Sequence, residues 1–351
     1  MRVIVAHVLA VVFGLALVTW VLDAAIRNFM LPRASRVALT SWLSRGVGRL
    51  CDLAAPRSGP FSRRDTVQAM RPALTLLTFQ VAWLFLVFAG FTAMFWGVGA
   101  DDLGGAIRDS GSALFTLGFA TPSGAAPLTL VFAEAVIGLT LLALLVSYLP
   151  TIYSSFQRRE FMVAKLAVRA GSPPTPWGAI EVSHRTDSMA RLDSAAWQEW
   201  ENWFIDVAET HTSLPILVRY RSPDPANHWV SAARTVLDLA ALRLTVVDRP
   251  GPVDPAVTIR SGTIALRTIA DFFRFPYPVD PAPDDPISVT REQFDAACAY
   301  LRAGGVPLVE DLDAAWVDFA GWRVNYDAII EQAAVSFDAP PNPWDVFLLD
   351  R

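Results

Sequence analysis

Residues 116–120, Thr-Leu-Gly-Phe-Ala, carry the pattern in this chain best suited to a defined chemistry, and they sit in the segment Ser112-Ala-Leu-Phe-Thr-Leu-Gly-Phe-Ala-Thr-Pro122 between two apolar runs. A threonine hydroxyl followed by backbone carbonyls around a glycine is a row of hard oxygen donors. Such a row offers oxygen ligands and no bond-making group. Gly118 supplies the backbone freedom the row requires. Reactive chemistry has no comparable footing. There is no Gly-rich phosphate loop and no serine or cysteine in a nucleophile motif, and His184, His211 and His228 lack metal-ligand spacing. Cys51 and Cys298 lie far apart in unlike segments and read as two reduced thiols. No enzyme is expected.

The elements that would position this segment are membrane spans. The 351 residues are 53% hydrophobic and their mean hydropathy is +0.36, too apolar for an ordinary soluble enzyme of this size. Three stretches are long enough to cross a bilayer: Val3 to Val21, about Ala73 to Gly97, and Pro127 to Leu149, the last stopping at Pro150. The first has only Arg2 before it and is long for a signal peptide, so a retained helix over residues 1–22 is expected. Lys165 is the sole lysine, which suggests a GC-rich bacterial genome.

Charge orients the spans. Residues 23–72 carry Arg27, Arg33, Arg36, Arg45, Arg49, Arg57, Arg63, Arg64 and Arg71 against Asp23, Asp52 and Asp65, which makes this segment cytoplasmic. The loop from Val98 to Ala126 carries Asp101, Asp102 and Asp109 with Arg108 alone and faces outside. Arg158, Arg159, Lys165 and Arg169 follow the third span and lie inside. The expected protein is an all-α, multi-pass protein of the bacterial inner membrane, N-terminus outside and C-terminus cytoplasmic.

Between the second and third spans, Ile107 to Phe115 could enter the membrane as a short helix and return as extended backbone, which is tolerated at that depth only inside protein or beside a water-filled pore. Residues 73–150 resemble the outer helix, pore loop and inner helix of the two-helix potassium-channel pore family. Its Thr-Val-Gly-Tyr-Gly filter corresponds here to Thr116, Leu117, Gly118, Phe119 and Ala120. The resemblance covers about a fifth of the chain. It implies a homotetramer, potassium ions held by the carbonyls of Thr116, Leu117, Gly118 and Phe119, no other cofactor, and Gly138 as the inner-helix hinge. Two positions depart from the pattern. Ala120 replaces a glycine whose backbone geometry disfavours a Cβ, which implies strain there or a rearranged outer filter. Thr121 replaces an acidic residue that hydrogen-bonds behind the filter. Glu134, the one carboxyl group within a span, reads as a pore-facing acid or as a support bonded to the helix before the filter, the second being preferred. Gln80 is expected to pack. The function implied is passive cation conduction, potassium first; the alternative is a membrane-anchored sensor or scaffold with a non-conducting pore-like fold.

Leu39, Trp42, Leu43, Gly46, Val47 and Leu50 recur at helical spacing, with Arg45 and Arg49 elsewhere on the wheel, as in an amphipathic helix on a membrane surface whose lipids include anionic headgroups. After a basic linker at 151–176, residues 177–351 form an acidic domain. Residues 172–351 carry 14 arginines against 26 acidic residues, whereas residues 1–171 carry 15 basic against 8 acidic. That imbalance argues against nucleic acid. Helices are expected at Ala195–Thr210, Trp229–Val247, Ile259–Phe275, from a capping box at Thr290-Arg-Glu-Gln293 to about Arg302, and at Glu310–Ala334, with Pro-rich connectors at Asp248–Pro255 and Pro276–Pro286. Asp224, Asn227 and nearby arginines are expected to hold loops. The soluble ligand of this domain is not identified by any motif.

Overall fold

The computed structural model describes residues 2–29, 38–56, 58–100, 102–186, 194–248 and 254–349. Arg33, Arg36, Arg57 and Asp101, used above to orient the spans, and residues 249–253 of one connector lie outside the described residues. All regular elements among the described residues are helical, with one isolated antiparallel bridge between Val247 and Leu308. The chain divides into an N-terminal unit, residues 1–59 and 66–153, and a C-terminal unit, residues 60–65 and 154–351.

The N-terminal unit contains α1 (Arg2–Phe29), α2 (Ala38–Ala54), most of α3 (Phe61–Gly97), α4 (Leu103–Leu114) and the first part of α5 (Ala125–Ala170). The helices α1, α3 and α5 are each long and apolar enough to cross a membrane. Val18, Val21 and Ala25 of α1 share a core with Phe79, Trp83, Val87 and Phe91 of α3. Small residues set the approach: a Cβ on Gly14 would stand 2.3 Å from the Gly90 carbonyl oxygen, the close backbone contact that glycines permit between apolar helices. His7 meets Trp96 edge-on at 4.9 Å. On α2, Val47 and Cys51 are buried while Trp42, Leu50 and Leu53 are exposed, so its apolar residues occupy two sides.

Two prolines fail to end helices where their chemistry suggests a stop. Pro72 lies inside α3 and Pro150 inside α5, each removing one backbone donor. Beyond Pro150, Met162, Val163, Leu166 and Ala170 enter the core of the C-terminal unit at helical spacing. This burial keeps residues 151–170, expected as a linker, in the helix.

The C-terminal unit adds α6 (Pro176–Arg185), α7 (Ser194–Ser213), α8 (Trp229–Thr245), α9 (Asp254–Phe273), α10 (Arg291–Ala303), α11 (Leu312–Arg323) and α12 (Asp327–Phe337). Every residue of α8 from Trp229 to Arg243 is buried, which makes it the central helix of the bundle. Its Asp238 is enclosed by Arg323, by the Tyr326 hydroxyl at 2.9 Å and by the Trp344 indole N–H at 2.7 Å. The capping box at Thr290 and Gln293 opens α10. The single helix expected over 310–334 is two, because the Asn325 amide donates to the carbonyls of Gly321 and Trp322 at 3.0 and 3.1 Å. Those are the acceptors a continuing helix would have used.

Candidate functional site

The residues singled out between α3 and α5 are built on α4. Asp102 caps its N-terminus, accepting from the Gly105 N–H at 2.6 Å. At the other end the Thr116 N–H donates to the Ala113 carbonyl at 3.1 Å and the Leu117 N–H to the Ser112 carbonyl at 2.9 Å. This paired pattern is a Schellman cap, with Thr116 in the left-handed position at φ 54°. Glycine usually holds that position; a β-branched residue there is strained. The Thr116 hydroxyl donates to the Phe115 carbonyl at 2.8 Å.

Backbone strain or a rearranged outer segment was expected at Ala120; its own backbone carries no positive φ. Positive φ falls on Thr116 and on Gly118 (φ 73°), not on Ala120. Ala120 is instead held by Ser112, whose hydroxyl accepts from the Ala120 N–H at 3.1 Å and lies 3.5 Å from the Ala120 carbonyl. Residues 115–119 are exposed, including Phe115, Leu117 and Phe119. Among the described residues, the carbonyls of Thr116, Leu117, Gly118 and Phe119 accept no hydrogen bond. Four successive acceptors are therefore available in a non-helical segment between α4 and the membrane-length α5.

Two residues of α5 fix α4 from behind. Glu134 is fully buried, and its Oε1 lies 2.6 Å from the Ser110 hydroxyl, which is also 3.2 Å from the Phe88 carbonyl. Gly138 lets α5 approach the end of α4: a Cβ there would stand 2.7 Å from the Leu114 carbonyl oxygen. The helical assignment is continuous through this glycine. Gln80 is buried in α3.

Phe119, Ala120 and Thr121 also border a cleft of about 480 Å³ with Arg108 and Asp109 of α4 on its other wall. Ser110 and Ser112 were not singled out from the sequence, and Arg108 and Asp109 entered only as loop charges. The signal available was spacing: Asp109 and Ser112 are three residues apart, hence neighbours on one helical face. In the C-terminal unit, Asp224 holds its loop by accepting from the Ala226 N–H at 2.9 Å and the Asn227 amide at 3.1 Å. His211 and His228 are buried there. Among the described residues no cluster of histidine, cysteine, aspartate or glutamate could hold a metal ion. Comparisons with protein-family models, with curated proteins and with solved structures find no match for the chain.

Proposed function

We propose that the chain is one subunit of a homotetrameric cation channel of the bacterial inner membrane, conducting passively, potassium first, through residues 116–120. The observation that carries this reading is the row of unpaired carbonyls from Thr116 to Phe119. Exposed, unsatisfied backbone at membrane depth needs a surrounding of protein or a water-filled pore, and four copies of the row would supply the oxygens that replace an ion's water. Within this reading Glu134, Ser110 and Thr121 support the pore loop, Gly138 stands on the inner helix, and Arg45 and Arg49 of α2 face anionic headgroups on the cytoplasmic side. The acidic C-terminal unit is the cytoplasmic domain.

A second reading, a membrane-anchored sensor that does not conduct, draws on Ala120. Its carbonyl lies 3.5 Å from the chain's own Ser112 hydroxyl, which leaves four free carbonyls in a five-residue segment. Purified protein in planar bilayers under a potassium/sodium gradient separates the two. A current carried by a tetramer supports the channel, and silence from a tetramer of confirmed native mass supports the sensor. A monomer or dimer by native mass sinks the pore altogether.

A further inference from the structure

The C-terminal unit contains a cavity of about 750 Å³, within the size range of sites for small organic molecules. Its aromatic surface comes from Trp177, Tyr300, Phe347 and Phe61. Its remaining walls include Pro173, Pro225, Pro340, Pro341 and Pro343, residues whose φ is fixed by the ring. The aromatic side is tied to the interior. Trp177 packs edge-on against Trp344 at 5.0 Å and at a tilt against Phe347 at 4.6 Å, and the Trp344 indole is bonded to the buried Asp238. A wall of prolines and anchored aromatics loses little freedom when a guest enters, so it is preorganised.

The charges on the lining narrow the guest. Asp345 is its single charged residue, and no arginine, lysine or histidine lines the cavity. An anion would meet no cation on this largely apolar lining and would give up water there, which is costly. Arg64 stands 5.7 Å from the Phe61 ring but is paired with Asp338 and does not line the cavity. The Tyr300 hydroxyl is engaged by Glu181 at 2.5 Å, and Asn342 uses its Oδ1 on the Trp344 N–H at 3.2 Å. The Asn342 Nδ2 makes no bond among the described residues and is a donor left for the guest.

We propose that this cavity is a binding site for an uncharged, ring-bearing apolar small molecule with a hydrogen-bond-accepting oxygen. Phe61 opens α3, so the guest packs on the first turn of a helix that continues as an apolar span. Binding stands apart from the conduction reading, and a chain that carries no current still takes the guest.

The test uses the full chain in lipid nanodiscs and a neutral aryl diazirine bearing an acetyl group, with labelled positions mapped by mass spectrometry. Labelling at 173–177 and 340–347 is expected to saturate and to be removed by excess acetophenone, while labelling of α1 rises linearly with probe. The variant Ala226→Trp, which fills the cavity from its rim, should lower cavity labelling about tenfold and leave α1 unchanged; so should a carboxylate analogue of the probe, a difference of ~1.4 kcal/mol. Cavity labelling that is absent, that fails to saturate or that persists in a folded Ala226→Trp protein overturns the site. A carboxylate or ammonium analogue that labels as well as the neutral probe overturns the ligand class.

Discussion

Ser110 places one hydroxyl between the Phe88 carbonyl and the fully buried Glu134, so a small side chain links α3, α4 and α5. Ser110→Ala leaves a buried carboxyl group without that partner, and the expected cost is about 1–3 kcal/mol, read as a lower melting temperature in detergent. Gly118 has open space around a would-be Cβ, but its φ of 73° belongs to the left-handed region, so backbone conformation is the obstacle to substitution there. On the proposed conduction, Gly118→Val abolishes the current in planar bilayers while native mass is unchanged; a current that survives the substitution overturns the placing of that path at residues 116–120. Ser112 shows what spacing alone conceals. Its contact with Ala120 spans eight residues across the end of a helix, and only the turn at Thr116 brings the two together. The glycine in Thr-Leu-Gly-Phe-Ala was legible from the sequence, but the left-handed threonine was not, because threonine is among the residues least expected in that conformation.

At the scale of elements, long uninterrupted apolar runs made α1, α3 and α5 readable, since hydrophobicity over about twenty residues is a strong signal. Their ends were less readable. Pro72 and Pro150 resemble stops, yet packing of Met162, Val163 and Leu166 carries α5 onward. The break between α11 and α12 depends on a side chain competing for carbonyls, which periodicity does not report. The contact of α1 with α3 through Gly14 and Gly90 lies outside any pattern of hydrophobicity, because it is a matter of small size. Gly14→Leu would press its side chain into the Gly90 backbone. The expected result is a destabilisation of about 1–3 kcal/mol and loss of the α1–α3 contact, seen as failure of a cysteine pair at Val18 and Val87 to cross-link.

For the molecule as a whole, acid is the expected weakness. Burial pushes His211 and His228 well below the ordinary imidazole value of 6.5, and the positive charge of Arg159 adds to the effect on both. The His228 Nδ1 accepts from the Val230 N–H at 3.1 Å, which requires a neutral ring. Below about pH 6.5 the unfolded chain binds protons that the folded chain refuses. The two histidines should therefore contribute no pH dependence above that pH and lower stability below it by up to about 1.4 kcal/mol per pH unit each. Denaturant titrations of the full chain between pH 5 and 8, followed by tryptophan fluorescence, measure this; His228→Asn, which keeps a capping acceptor, should flatten the slope. Stability that rises as pH falls from 6.5 to 5 would contradict it.

The ion pairs at the start of α3 set an order of events during synthesis. Arg64 pairs with Asp338, and Arg221 pairs with both Asp65 and Asp338, so two arginines wait on a carboxylate translated 274 positions after the first of them. A chain cut short before residue 338 leaves Arg64 and Arg221 without that acid, however well its apolar helices have inserted. Nonsense mutants in the last few codons before that point should thus be cleared by membrane proteases, while truncations beyond the helix it caps retain the pairing.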